Sequence, residues 1–168
     1  MNNITKFEKI TFSQFEKDVK DKQIDSNDLM AIYDSIKLPK RATKGSAGYD
    51  FFLPFDITLE PNQTILIPTG IRCKMNEDYV LMIFPRSGLG FKYRLMLDNT
   101  VGIIDSDYYN ALNEGHIMIK ITNNSLQNKT LELKTGDAFA QGIFMIFGKT
   151  CDDEVTEIRT GGFGSTNK

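Results

Sequence analysis

The sequence predicts an all-β sandwich or barrel-like fold carrying a short helical segment near its N-terminus. Three observations point there. From Ala47 onward, short apolar runs recur roughly every ten residues, as at Ile65–Ile67, Val80–Phe84, Ile117–Ile121 and Ile143–Phe147. Turn-forming clusters separate them: Glu60-Pro61-Asn62, Pro68-Thr69-Gly70, Asn123-Asn124-Ser125 and Thr135-Gly136-Asp137. Helical spacing is confined to residues before Pro39, and no fixed repeat is visible, which excludes a propeller or solenoid.

In chain order, Phe12, Phe15 and Val19 fall at helical spacing, with Ser13 and Glu16 as a candidate capping box. Leu29, Ile32, Tyr33 and Ile36 follow i, i+3, i+4, i+7, with N-cap candidates at Asp25, Ser26 and Asn27 and a stop at Pro39. Residues 12–36 therefore read as two short helices. They serve either as a packing appendage or as an element that binds a protein partner. The strands of the body follow. The tail from Arg159 is Gly-rich with one aromatic residue, Phe163. It reads as a loose terminus or as a segment that folds over a ligand: Phe163 offers a stacking face, and Arg159 and Ser165 offer phosphate donors.

Bulk properties narrow the function. The chain has 168 residues, enough for one domain with a sizeable core, and a formal net charge of −2. Without a basic block, nucleic-acid binding is not expected, although a few local donors can hold a polyphosphate. Cys73, Cys151 and His116 lack zinc spacing. Cys73 reads as a core thiol. No long apolar run marks a signal peptide or a membrane span, so a cytoplasmic, non-membrane protein is expected.

Two segments carry candidate chemistry. Pro85-Arg86-Ser87-Gly88-Leu89-Gly90 follows an apolar strand: Arg86 is a bidentate phosphate fork, Ser87 a hydroxyl donor, and a helix starting near Leu89 would turn its positive end to an anion. It lacks the Walker A pattern and, alone, could be a plain turn. Asn99 through Tyr108 contains Asp105 and Asp107. These share a face if the segment is a strand and diverge if it turns. One carboxylate could activate a water; equally, the pair could be an Asx-rich turn.

Taken in order, Ala47–Phe51, Pro85–Gly90, Gly102–Tyr108, Gly136–Ile143 and Arg159–Thr166 resemble the five ordered motifs of the trimeric dUTPase family. The resemblance runs from about residue 38 to the C-terminus. It implies a distorted jelly-roll, or β-clip, a homotrimer with shared sites, and Mg²⁺-assisted hydrolysis of dUTP to dUMP and pyrophosphate, which lowers dUTP and supplies dUMP for thymidylate synthesis. It implies that Asp105 holds the attacking water, that Asp50 supports the metal and water network, and that the Tyr108 ring excludes a 2′-hydroxyl. Asn99, Gly102 and the backbone of Met118 would hold the base; Arg86, Ser87, Gly88 and Gln141 would hold phosphates. In the arm (159–168), Phe163 would stack on uracil while Arg159, Gly164, Ser165 and Thr166 contact phosphates. The Mg²⁺ would be held mainly by substrate phosphates and water, without a protein cage. The chain departs from the family in a longer segment at 109–114, in Gly90 where alanine is common, in a shorter spacing from Arg159 to Phe163, and in residues 12–36. Two other readings stand beside this one: a dCTP deaminase, which shares the fold and needs a glutamate at the site, and a regulator that keeps the pocket but acts on a partner.

Overall fold

The computed structural model describes residues 5–21, 28–157, 159 and 161. Its strands are β1 (Lys6–Lys9), β2 (Tyr49–Phe52), β3 (Ile57–Leu59), β4 (Thr64–Pro68), β5 (Ile71–Lys74), β6 (Tyr79–Pro85), β7 (Leu95–Leu97), β8 (Gly102–Ile104), β9 (Met118–Asn123), β10 (Leu131–Leu133) and β11 (Ala138–Ile146). Helices α1 (Phe12–Asp21), α2 (Leu29–Ser35) and α3 (Ser87–Tyr93) complete the described elements, with a 3₁₀ turn at Ser106–Asn110.

The pairing is antiparallel throughout these strands. A four-stranded sheet runs β2-β11-β6-β8, a three-stranded sheet runs β4-β9-β7, and two ribbons pair β1 with β5 and β10 with β3. In the β4–β9 ladder Ile67 faces Ile119 and Ile65 faces Ile121, so alternate residues enter the core. The core also takes Phe51, Leu81, Ile83, Leu95, Leu131 and Phe139, all fully enclosed. In β11 the register with β2 shifts between Ala138 and Ala140. That bulge lets the consecutive residues Phe139 and Ala140 both be buried, and it sets Gln141 opposite Asp50.

The two expected helices form, but their ends differ from the expectation. The cap of α1 is Thr11, whose hydroxyl oxygen accepts from the Gln14 amide at 3.3 Å; Ser13 lies inside the helix, so the Ser13/Glu16 box does not exist. The Thr11 amide and hydroxyl donate to the Glu114 carboxylate at 2.8 and 2.6 Å, so a residue a hundred positions away does what a local glutamate was expected to do. Helix α2 is capped by Asp28, one residue past the expected cluster, whose carboxylate accepts from the Ala31 amide; residues 25–27 lie outside the described ones. It ends at Ile36, where ψ turns to 123°, before Pro39 is reached. A further difference is β1, in a stretch that carries only helical signals. Only Phe7 of its four residues is buried, too few for an alternating pattern to register.

The helical pair is part of the core. Phe15 and Val19 of α1 are 0% and 1% exposed, and Ile36 packs beneath them. Tyr33 stacks edge-on against Phe12 at 5.5 Å, lies 5.9 Å from Phe15, and donates its hydroxyl to the Ile10 carbonyl. The thiol of Cys73 is buried and Cys151 is exposed, with no disulfide between them; burial pushes the Cys73 thiol up to about 12.

Candidate active site

The expected site residues fall into two groups. The first is built where β2, β6 and β11 meet. Gln141 of β11 pairs with Asp50 on one side and Phe84 on the other, and its amide donates to the Pro85 carbonyl at 3.2 Å. Pro85 ends β6. Arg86 caps α3 in an extended conformation without a side-chain cap bond, and the helix starts at Ser87, two residues before the expected point. The Arg86 guanidinium reaches the Asp50 carboxylate at 3.2 Å. Thus Asp50, Arg86, Ser87, Gly88 and Gln141 gather, and Arg86 and Gly88 line a surface cavity of about 290 Å³. Asp50 stands among these donors, and Asp137 also lines the cavity, so a cation bound here would still draw most of its ligands from phosphate oxygens and water.

The second group lies around β8. Gly102 and Ile104 are buried on one face, and Asp105 leaves the strand to cap the 3₁₀ turn. Asp105 and Asp107 neither diverge nor point away from each other. Both grip one guanidinium: Arg159 Nη2 is 2.6 Å from Asp105 Oδ2, and Nε is 2.9 Å from Asp107 Oδ1. Both carboxylates are about half exposed, and they line a cleft with Tyr109 and Thr156. Tyr108 is buried; its hydroxyl donates to the His116 carbonyl at 2.7 Å and accepts from Asn113, and burial pushes its phenol up. Asn99, Gly102 and Met118 come together as walls of a cavity of about 400 Å³, closed by Ile83, Leu97 and Ile119. That is a size and lining suited to a small organic ligand.

Asp105 of the second group is far from Arg86 of the first within one chain, although Gly102 and Gly142 flank the same residue of β6, Ile83. In the β6–β8 ladder Leu81 faces Ile104 and Ile83 faces Gly102, so Asp105 is level with Val80. Arg86 lies six residues further along β6, about 20 Å at ~3.3 Å per residue. Phe163, Gly164, Ser165 and Thr166 lie outside the described residues.

Sequence reasoning did not single out Asp18 or Asn113. Asp18, on α1, and Asn113 also line the 400 Å³ cavity. Glu114 is the acceptor at Thr11, so it is engaged in structure and not free for deamination. His116 is wholly buried and bonded through both ring nitrogens, to Asp18 and to the Gly70 amide. Burial opposes ionisation of Asp18, but hydrogen bonds from His116 and Gln14 outweigh it and hold the carboxyl below its usual range. The one available signal was His116 itself, the only histidine, placed next to an insertion.

Among the described residues no helix is long and apolar enough to cross a membrane. Residues 34–167 match the dUTPase family model. The chain is 41% identical over 134 residues to the deoxyuridine 5′-triphosphate nucleotidohydrolase of Lactococcus lactis, covering 78% of this chain and 88% of that one. With its Haemophilus ducreyi counterpart the identity is 42% over 139 residues, covering 78% and 87%. The crystal structure of dUTPase from Streptococcus mutans superposes with a TM-score of 0.63 at 32% identity, covering 86% of this chain and 97% of that one. A dUTPase from phage phi11 of S. aureus, described with a structural Mg(II) ion, shares the fold at 22% identity, with a TM-score of 0.65 over 92% and 98% of the two chains.

Proposed function

The chain belongs to the dUTPase family, whose jelly-roll-like β fold it has, and on that premise we propose how its own residues hydrolyse dUTP to dUMP and pyrophosphate. Asp105 is the general base. Its carboxylate takes a proton from a water whose oxygen attacks the α-phosphorus, the bond to the α–β bridging oxygen breaks, and pyrophosphate leaves. The half-exposed position of Asp105 at the mouth of a cleft supports this, since a base must reach both water and substrate. Asn99, Gly102 and the Met118 backbone line the 400 Å³ cavity and hold the nucleoside there; the Tyr108 ring takes the place against the sugar that the family resemblance implies.

Arg86, Ser87, Gly88 and Gln141 bind the phosphates, with the start of α3 contributing backbone donors. The cofactor would be Mg²⁺, for which Asp50 would supply an outer contact and the substrate phosphates and water the ligands; it would neutralise charge on the triphosphate. Phe163, Gly164, Ser165 and Thr166 lie outside the described residues; by the family resemblance Phe163 would stack on the base and the other three would contact the phosphates. Arg159 exchanges its carboxylate partners for phosphate oxygens as the arm closes.

A single observation carries the assembly. The base and the phosphate fork are about 20 Å apart along one ladder, too far to serve one nucleotide from one chain. A homotrimer in which one subunit's Asp105 meets another's Arg86 repairs that. A protein partner at residues 12–36 has less support, because the apolar face of α1 is already buried in its own core.

The test is to supply dUTP, dCTP, dTTP and UTP with Mg²⁺ and to quantify pyrophosphate, monophosphate and ammonia. Pyrophosphate and dUMP from dUTP alone support the reading. Ammonia from dCTP with an intact triphosphate would replace it with the deaminase.

A further inference from the structure

Two polar residues of the nucleoside cavity come from the two segments in which the chain exceeds its family, Asp18 from α1 and Asn113 from residues 109–114; they stand beside Asp98, Lys120 and apolar side chains of the strands. Asp18 is nearly enclosed, with 13% of its side chain exposed. It receives Gln14 Nε2 at 2.9 Å and His116 Nδ1 at 2.5 Å. Both bonds end on Oδ2. Among the described residues, no hydrogen bond ends on Oδ1.

His116 fixes that arrangement. Its Nε2 accepts from the Gly70 amide at 2.8 Å, so the ring proton sits on Nδ1 and is donated to Asp18. The ring is wholly buried and satisfied at both nitrogens, which makes His116 a positioning residue for the carboxylate. Across the same cavity, Asn113 donates from Nδ2 to the Tyr108 hydroxyl at 2.8 Å, while its Oδ1 is buried without a hydrogen-bond partner. Buried acceptors are rarely left unmatched. That orphan acceptor and the Asp18 carboxylate, from segments far apart in the chain, line one cavity together with Asn99, Gly102 and Met118.

We infer that Asp18 and Asn113 are specificity-determining residues that accept hydrogen bonds from the bound nucleoside, so that α1 forms part of the active site. This rests on reading the 400 Å³ cavity as the nucleoside pocket. The ligand chemistry is an N–H or O–H donor. A deoxyuridine has two that could serve, the base N3–H and the sugar 3′-hydroxyl. Cytosine presents a lone pair at N3 in place of the proton, so a carboxylate oxygen there would repel it.

The experiment uses the full-length protein and Asp18→Asn, which keeps the shape and an acceptor for His116 but turns the second oxygen into a donor. Steady-state constants are measured with dUTP, N3-methyl-dUTP and 2′,3′-dideoxy-UTP, alongside the melting temperature. The expected result is a KM for dUTP raised about tenfold or more with a smaller change in kcat. The wild-type preference for dUTP over one analogue should also collapse: over the N3-methyl compound if the base donor is read, over the dideoxy compound if the hydroxyl is. Asn113→Ala, which removes the orphan acceptor from a surface hairpin, should reduce the same preference and serves if Asp18→Asn does not fold. An unchanged KM for every nucleotide overturns the inference. So does an equal loss with all three accompanied by a lower melting temperature, the signature of a strut. If the wild-type protein fails to turn over dUTP, the parent reading falls instead.

Discussion

Asp105 stands at the end of β8 as the cap of a 3₁₀ turn, which holds its carboxylate clear of the buried face that Gly102 and Ile104 share. Removing the charge should leave that geometry intact, because the strand and turn do not depend on it. Asp105→Asn is therefore expected to bind nucleotide with little change but to lose roughly three or more orders of magnitude in turnover. Single-turnover kinetics with a parallel binding titration check this, and near-normal turnover would remove Asp105 from the role of base. The same residue shows what residue-level reading can miss. Two carboxylates two positions apart fit a shared strand face or a diverging turn equally well, and only Arg159, 54 positions away from Asp105, brings both onto one guanidinium.

At the scale of elements, the helical segment α1–α2 is joined to the body at three places: the buried pair Phe15 and Val19, the Thr11–Glu114 bonds, and the Asp18–His116 contact. An appendage with a loose interface would tolerate truncation. This one should not. Phe15→Ala leaves a void in a fully enclosed position and should destabilise the protein by about 3–5 kcal/mol. Denaturant unfolding measures it, and a loss below about 1 kcal/mol would mean that α1 is only resting on the surface. Helical periodicity disclosed both helices, since the apolar spacing is local. The caps were misassigned because capping is decided by which acceptor arrives, and for α1 that acceptor is Glu114.

On the whole-molecule scale, separation of Asp105 from Arg86 makes a mixing experiment decisive. Asp105→Asn and Arg86→Ala chains, each inactive alone, should recover activity when refolded together, because one site in a mixed trimer combines an intact Asp105 with an intact Arg86. Activity that stays at the sum of the two parents would place the site within one chain. Acid stability is a second whole-molecule property. The Tyr109 hydroxyl, then Lys6, holds Glu8 at about 2 against a usual 4.5, and the Thr135 amide leads in holding Asp56 at about 2 against 3.8. The folded state thus binds fewer protons than the unfolded chain in acid. The stabilisation is fully present above the unfolded values and is lost as pH falls through the folded ones. Thermal midpoints should be flat near neutrality and fall between about pH 4.5 and 2. A midpoint that held down to pH 2 would contradict these contacts.

What the sequence by itself determined is the strand-rich body, the helical pair and the ordered motifs. Alternation, helical spacing and glycine-rich turns are properties of neighbours along the chain, and they survive without knowledge of the fold. Tertiary structure alone decided how those pieces meet. It set Gln141 beside Asp50 through a bulge, put Asp105 and Arg86 towards opposite ends of β6, and brought Asp18 and Asn113 into the wall of the 400 Å³ cavity. Each of these depends on register or on a contact between residues far apart in sequence. A one-residue slip in pairing would turn every side chain of a strand to its other face, so no local pattern encodes them.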